Sequence, residues 1–306
     1  MMNSNSNSFL KLTSFLVVAL GVTLSLAAAA GLDGTTARAS STLMSGAGAR
    51  AAGQSQTIVK TSSGTFKITG GLKSEPEIVR ISYLQGDVRF SRGDSKGPDL
   101  TKPWEQGVVN LPILQNYSLA TGDGRTEIEF EYGSMLYLAE NSVVIFDTLN
   151  TVNGVPDTDI ELISGTATVA AHPIPNETFE VKTPTDSVSF HNPGIMRIDS
   201  YLDAIALTPQ QPAGISVSQI SVGATQASTG KTIAYRNGTP IQLGASDQSG
   251  AAADWDGWVA ARVAQRGADI VAALKASGLP SFIPGLTDMY NGGTFFACPP
   301  FGICWE

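Results

Sequence analysis

Residues 78–90 read IVRISYLQGDVRF and residues 111–146 read LPILQNYSLATGDGRTEIEFEYGSMLYLAENSVVIF, and these two segments decide the fold prediction. Runs rich in β-branched and aromatic residues alternate with residues typical of turns, namely Gln85-Gly86-Asp87, Thr121-Gly122-Asp123 and Gly133-Ser134. Within Thr126–Glu131, polar and apolar residues alternate strictly, as in a strand with one buried face. The segments therefore predict antiparallel strands joined by turns at the glycines.

The same pattern continues to about residue 242. Asn153-Gly154 and Asn237-Gly238 are strong hairpin signals, and Ile215–Val222 alternates between apolar and polar residues. About a dozen short strands are expected, with no helical segment among them. Such spacing predicts an all-β core that is a sandwich, a roll or a short β-solenoid. The lack of a fixed-length sequence repeat disfavours a regular solenoid.

The hydrophobic period changes in Asp254–Ser277 (DWDGWVAARVAQRGADIVAALKAS), where apolar residues recur at helical spacing. Asp254 is the expected N-cap, and Gly278 and Pro280 are expected to end the helix. Gly267 costs about 1 kcal/mol relative to alanine, so two shorter helices are an alternative. Residues 279–306 are rich in Gly, Pro and aromatic residues and predict an irregular tail packed on the domain.

The first 39 residues have the pattern of a signal peptide. Lys11 precedes an apolar run at residues 15–30, and Ala37-Arg38-Ala39 fits a cleavage site that would start the mature chain at Ser40. An earlier cut at residues 27–30 and a retained membrane anchor are the alternatives. The chain is therefore expected to be periplasmic or secreted.

The expected organisation is a signal peptide at 1–39, a flexible lead-in at 40–75, a β-domain at 76–245, and a helix with a tail at 246–306. The lead-in is expected to hold one short strand, at 56–60 or 65–68. Cys298 and Cys304 are the only cysteines, six residues apart. In an oxidising compartment two lone cysteines predict a local disulfide, and their number argues against a zinc site.

The charge of the chain argues against two kinds of anionic partner. Only 15% of residues are charged, the formal net charge is −8, and no Lys/Arg cluster occurs. An acidic chain without a basic patch is a poor electrostatic match for nucleic acid or for an anionic lipid surface. We therefore expect no nucleic-acid binding, and contact with a membrane only through an uncleaved N-terminal segment.

A series of motifs resembles a known family. In order, they are Gly86-Asp87-Val88, Leu119–Glu127, Gly133–Leu138, Gly165–Val169 and Val181–Pro184, followed by Asp254-Trp255-Asp256-Gly257-Trp258. Together they resemble the FecR-type domain of bacterial envelope proteins, in the group where a Trp-containing helix follows the domain. The likeness covers about residues 78–266. It implies an all-β, extracytoplasmic and non-enzymatic domain.

One property of the family is not carried over. The namesake regulators act on a sigma factor through a cytoplasmic N-terminal segment. In this sequence only about a dozen residues precede the apolar run, so control of a sigma factor in that manner is not expected.

Few residues suggest catalysis. A His-based triad or metal site would need His172 or His191, but both lie in Pro-containing loops and are expected to be surface residues. Carboxylates occur at Glu127, Glu129 and Glu131 and at Asp157 and Asp159, a pattern that a glycosidase or a calcium site could use. The favoured interpretation is the solvent face of an amphipathic strand. No catalytic residue, metal or cofactor is predicted.

Five residues form a candidate partner surface: Trp255, Trp258, Arg262, Phe301 and Trp305. The alternative for the helix residues is that they dock the helix onto the β-domain. The aromatic tail would then be a flap held by the disulfide. The sequence thus predicts an exported, non-catalytic binding or scaffolding protein whose partner is an envelope protein or polysaccharide. The alternatives are a secreted carbohydrate-active hydrolase with a carboxylate pair, or a membrane-anchored signalling component.

Overall fold

A computed structural model describes residues 56–61, 64–69, 74–94, 96–218, 220–221, 229–241 and 250–306. The predicted signal peptide and its cleavage site lie outside these residues. Within the described residues, no helix is both long enough and apolar enough to span a bilayer.

The described part of the chain is mainly β-structure, as predicted. The strands are β1 (Gln56–Thr61), β2 (Gly64–Thr69), β3 (Ser74–Pro76), β4 (Val79–Ser91), β5 (Glu105–Gln106), β6 (Pro112–Ile113), β7 (Ser118–Glu129), β8 (Met135–Leu138), β9 (Val143–Val152), β10 (Val155–Ala171), β11 (Thr178–Lys182), β12 (Ser187–Phe190), β13 (Gly194–Ser200), β14 (Ile205–Gln211), β15 (Ile215–Val217), β16 (Ile220–Ser221), β17 (Ile233–Arg236), β18 (Thr239–Ile241), β19 (Phe295–Ala297) and β20 (Ile303–Trp305). The helices are α1 (Gly250–Ser277) and α2 (Leu286–Gly292), with a 3₁₀ turn at Glu131–Gly133.

The β-core has two layers that share the long strand β10. The first layer runs β4, β7, β8, the second half of β10, β13, β14, β17 and β18. The second runs β3, β9, the first half of β10, β11, β12, β15 and β16. Among the described strands only β10 and β11 pair in parallel. The arrangement is therefore a sandwich-like roll rather than a solenoid of stacked parallel strands.

Strand β10 changes layers at Gly165. Ile160 and Leu162 face the core before this point, whereas Ala167 and Val169 face it afterwards, so the alternation shifts by one residue. Gly165 has φ +94°, and a Cβ there would lie 2.3 Å from Oγ of Ser142. The position therefore requires glycine, because both the backbone conformation and the available space exclude a side chain.

The prediction of turns at Gly86 and Gly122 is wrong, because both glycines lie inside long strands. β4 and β7 pair along most of their length, with Gly86 opposite Gly124 and an irregularity in register between Gly86 and Val88. Gly86 has φ +74°, and a Cβ there would lie 2.2 Å from the carbonyl oxygen of Asp123. These glycines permit a bulge with close backbone approach instead of a chain reversal.

Helix α1 packs on the outer face of the first layer. A second apolar cluster lies there, apart from the core between the layers. It consists of Met135, Tyr137, Ala170, Ile195, Trp255 and Val259. The helix begins at Gly250, four residues before the predicted N-cap, so the N-cap role of Asp254 is wrong. It is continuous through Gly267 and ends before Gly278, which has φ +68°.

The C-terminal segment is more regular than predicted. It contains α2 and an antiparallel hairpin of β19 and β20. The predicted disulfide between Cys298 and Cys304 is confirmed, with Cα atoms 5.8 Å apart. Nearer the N-terminus, the expectation was one strand at 56–60 or 65–68, and the structure has both, paired as a hairpin.

Candidate functional site at the helix-covered face of the sheet

The outer face of the first layer presents parallel rows of side chains, one from each neighbouring strand. The first row, from β7 to β13, is Glu127, Tyr137, Thr168 and Arg197. The second is Glu129, Met135, Ala170 and Ile195. Helix α1 covers both rows, so most of these side chains are buried although they point away from the central core.

Two tryptophans seat the first turns of α1 on this face. Trp255 is 8% exposed, and its indole nitrogen donates a hydrogen bond of 3.0 Å to Oγ1 of Thr168. Trp258 stacks on Trp255 with ring centroids 5.1 Å apart and meets Tyr137 edge-on at 6.1 Å. Burial raises the pKa of the Tyr137 phenol, so this side chain stays neutral beneath the helix. The tryptophans thus dock the helix onto the β-domain.

Two arginines of α1 form ion pairs with two glutamates of β7. Arg262 forms a bidentate pair with Glu127, with one of the two bonds 3.1 Å long, and Arg266 pairs with Glu129. From the other side, Arg80 of β4 also binds Glu129. We call these three arginines and two glutamates the arginine–glutamate cluster. The hydrogen bond to Glu127 raises the pKa of Arg262, in spite of the opposing effect of partial burial.

The prediction that Glu127 and Glu129 lie on a solvent face is therefore wrong. Glu127 is 3% exposed and Glu129 is 0% exposed. Such burial is tolerated because arginine partners and hydrogen bonds replace the lost hydration. The backbone nitrogen of Gly285, just before α2, also donates to Glu129 at 3.1 Å. Glu129 thus joins β4, α1 and the chain entering α2.

The other candidate catalytic residues do not converge. Glu131 lies in the 3₁₀ turn and accepts a hydrogen bond of 2.9 Å from Thr151. Asp159 of β10 pairs with Lys182 at 3.1 Å. His172 and His191 are exposed, and His191 makes a hydrogen bond of 2.8 Å with Ser216. Within the described residues, no group of three or more His, Cys, Asp or Glu side chains is arranged to hold a metal ion.

A charged cleft opens where the sheet extends past the first turns of α1. It has a volume of about 450 Å³, and its lining includes Arg125, Glu140, Thr166, Arg197, Asp199 and Tyr201. Arg125 pairs with Glu140 at 3.1 Å and lies 5.1 Å over the ring of Trp258. Arg197 pairs with Asp199 at 3.1 Å and with Asp256 of the helix at 2.6 Å. The lining of the cleft therefore combines two arginines with three carboxylates, those of Glu140, Asp199 and Asp254.

The disulfide-closed loop at the C-terminus carries the most exposed ring of the predicted partner surface. Phe301, between the two cysteines, is 83% exposed. The indole ring of Trp305 is fixed by one hydrogen bond of 2.7 Å, which its nitrogen donates to the carbonyl of Met289. The structure therefore separates the predicted surface into helix residues that contact the sheet and a tail that is open to solvent.

Sequence reasoning missed Arg80, Arg197, Asp256 and Arg266. The available signal was the spacing of Arg262 and Arg266, which places two cations on one side of a helix. Asp256 belongs to the quoted Asp-Trp-Asp-Gly-Trp motif, but its partner on β13 could not be identified without the fold.

Comparisons with known proteins agree with the motifs. Residues 117–192 match the model of the family described as FecR protein, a segment that includes β7, β8 and β10 beneath the helix. Two crystal structures of a candidate anti-sigma factor from Parabacteroides distasonis ATCC 8503, at 2.50 and 1.65 Å resolution, show a partial likeness. Each of the two is 13% identical in sequence to this chain. The aligned parts cover 40% and 41% of this chain and 57% and 58% of the respective solved chains, with TM-scores of 0.30 and 0.32.

This chain thus spans less than two thirds of the length of those structures. No curated protein matches the chain. The family match confirms the resemblance that the motifs predicted, over residues 117–192.

Proposed function

We propose that this protein is an exported FecR-type binding module of the bacterial envelope that acts without catalysis and recognises a protein partner through its C-terminal loop. The observation that carries the proposal is Phe301, 83% exposed in a loop closed by a disulfide. Exposed aromatic side chains are frequent anchors of protein interfaces. A covalently closed loop also loses less conformational entropy on binding than an open one.

The buried carboxylates support the non-catalytic part of the proposal. A glycosidase needs two carboxyl groups on either side of a bound sugar. Glu127 and Glu129 instead lie beneath α1, each occupied by at least one arginine. Their geometry favours a structural role, and the hydrolase alternative gains no support from them.

The charged cleft favours a second candidate function, which is polysaccharide binding. Its donor and acceptor side chains, together with Tyr201, suit the hydroxyl groups of a neutral sugar. A volume of about 450 Å³ lies in the range of small-molecule sites. Binding here would involve Arg125 and Asp199 rather than Phe301, so the two candidates are separable by mutation.

Export is part of the same proposal. The confirmed disulfide is consistent with an oxidising compartment, where such bonds persist. Mass spectrometry of the protein recovered from its own cells is expected to give an N-terminus near Ser40. An intact N-terminus on a membrane-extracted chain would favour the anchored signalling component instead.

Site-specific photocrosslinking tests the binding surface. A photoreactive phenylalanine analogue is placed at position 301 and, as a control, at Leu202, which is 95% exposed on the β-domain. The proposal predicts a discrete protein adduct at 301 that is absent at 202. No adduct at 301, or the same adducts at both positions, would contradict it. Retention on envelope polysaccharide that is lost on Arg125→Ala, but kept on Phe301→Ala, would establish the second candidate instead.

A further inference from the structure

An apolar pocket lies beside the second half of α1, whereas the charged cleft lies beside its first turns. Its walls include Met135 and Tyr137 of β8, Val263 and Ile270 of α1, and Phe282 from the segment that links the two helices. Its volume is about 320 Å³. This is roughly twice the 150 Å³ of an engineered cavity that binds benzene. We call it the Gly267 pocket, after the glycine of α1 at its edge.

Gly267 keeps one side of this pocket open. No heavy atom lies within 4 Å of the position that its Cβ would occupy, so close packing within the described protein does not require a glycine there. A glycine inside a helix costs about 1 kcal/mol relative to alanine. Gly257 is also a helical glycine with free space around it, but it does not line the pocket. The two positions therefore form a matched pair for mutation.

The pocket also borders a strained turn. Tyr132 lines it and has φ +64° and ψ 5°, a left-handed conformation that is uncommon for a tyrosine. The next residue, Gly133, has φ +99°, and a Cβ there would lie 3.5 Å from the ring of Phe282. The hydroxyl of Tyr132 donates a 3.0 Å hydrogen bond to the carbonyl of Gly154, which fixes the side chain. Strained residues of this kind recur beside bound ligands.

The charges around the pocket are already balanced. Arg266 lines it, lies 5.0 Å over the ring of Phe282, and is paired with Glu129. In the surrounding network, three cations, Arg80, Arg262 and Arg266, face three carboxylates, Glu127, Glu129 and Asp288. His172 also lines the pocket, and partial desolvation of its imidazole ring lowers its pKa, which favours the neutral form. Among the residues that the structure describes, an anion in this pocket would find no unpaired cation, and its desolvation would not be compensated.

We infer that the Gly267 pocket binds a neutral, largely apolar small molecule of about two to three rings in size. Four observations support this: the volume of the pocket, its apolar walls, the unfilled space at Gly267 and the balanced charge around Arg266. The site is separate from both Phe301 and the charged cleft, so it does not depend on the proposed function.

Two fluorescent probes with the same ring system test the inference. N-phenylnaphthylamine is neutral, and anilinonaphthalene sulfonate adds one negative charge. With the full mature protein, the neutral probe is expected to show a saturable, one-to-one fluorescence increase. The anionic probe is expected to bind about tenfold or more weakly, which corresponds to about 1.4 kcal/mol. No saturable binding of the neutral probe, or equal binding of the two, would overturn the inference.

Mutation then locates the bound probe. Gly267→Phe is expected to weaken binding of the neutral probe about tenfold or more, and Gly257→Phe to leave it within about twofold. Gly267→Leu, a stronger helix former, provides a second blocking variant if the phenylalanine variant does not fold. Equal affinity of the Gly267 and Gly257 variants for the probe would place it elsewhere and refute the assignment.

Discussion

Replacing Glu129 with glutamine tests whether the arginine–glutamate cluster holds α1 on the sheet. The substitution keeps the shape of the side chain but removes its charge. Glu129 is 0% exposed and accepts from Arg80, Arg266 and the backbone of Gly285. After the change, Arg80 keeps its pair with Asp288 at 2.6 Å, whereas Arg266 loses the only carboxylate to which it is paired among the described residues.

The expected cost follows from burial. Removing one partner of a buried ion pair costs about 3–5 kcal/mol, because the remaining charge is left uncompensated. For a domain of this size, such a loss lowers the melting temperature by about 6–20 °C. The matched control is Glu140→Gln, since Glu140 pairs with Arg125 at the surface. An exposed pair of this kind contributes about 0–1 kcal/mol.

Urea unfolding followed by tryptophan fluorescence measures both variants, because Trp255 and Trp258 report on the helix. We expect Glu129→Gln to shift the emission of these residues toward that of exposed tryptophan before the β-core unfolds. In a double-mutant cycle, Glu129→Gln combined with Arg266→Gln should cost less than the sum of the single changes. If Glu129→Gln and Glu140→Gln cost the same, within about 0.5 kcal/mol, the cluster does not hold the helix and the reasoning fails.

Three further predictions concern other parts of the fold. Gly86→Ala should lower the free energy of unfolding by about 2–5 kcal/mol, because the left-handed backbone is strained with a side chain and the new Cβ clashes with β7. Gly154→Ala, where φ is +80° but the space is open, should lower it by only about 1–2 kcal/mol, as measured by thermal unfolding. Burial raises the pKa of Glu77 from 4.5 to about 8, so the folded state binds more protons and stability should fall as pH rises through this range. Glu77→Gln should flatten that slope, which is at most about 1.4 kcal/mol per pH unit, and an unchanged pH profile would contradict the assignment. Replacing Cys298 and Cys304 with serine should lower the stability of the C-terminal tail by about 2 kcal/mol and speed its proteolysis, while the β-core stays folded. Global unfolding of this variant would show that the tail and the β-core are not independent in stability.

The fold class could be predicted because its signals are local. Alternation in β7 and the Asn153-Gly154 hairpin depend only on neighbouring residues. The role of Gly86 could not be predicted in this way, because Gly-Asp is typical of both turns and bulges. Only the pairing of β4 with β7 decides between them, and that pairing joins residues about forty positions apart.

The error at Glu127 and Glu129 has a different physical origin. A strand with alternating acidic and apolar residues specifies two faces, but it does not specify what covers the outer one. In a single layer that face would be solvated, and the prediction would hold. Here a helix more than a hundred residues later covers it, and the helix brings its own cations.

The two halves of the cluster match in spacing, and this explains why these particular residues meet. Residues two apart in a strand lie about 6.6 Å from each other on the same face. Residues four apart in a helix are separated by about 6 Å along the axis, again on the same side. Glu127 and Glu129 therefore form a pair of anions at nearly the same interval as the cations Arg262 and Arg266. A shift of α1 by one turn would pair at most one arginine with a glutamate and leave the other carboxylate of β7 without its partner from the helix. The cluster thus specifies the register of the helix, in addition to any net stability that it contributes.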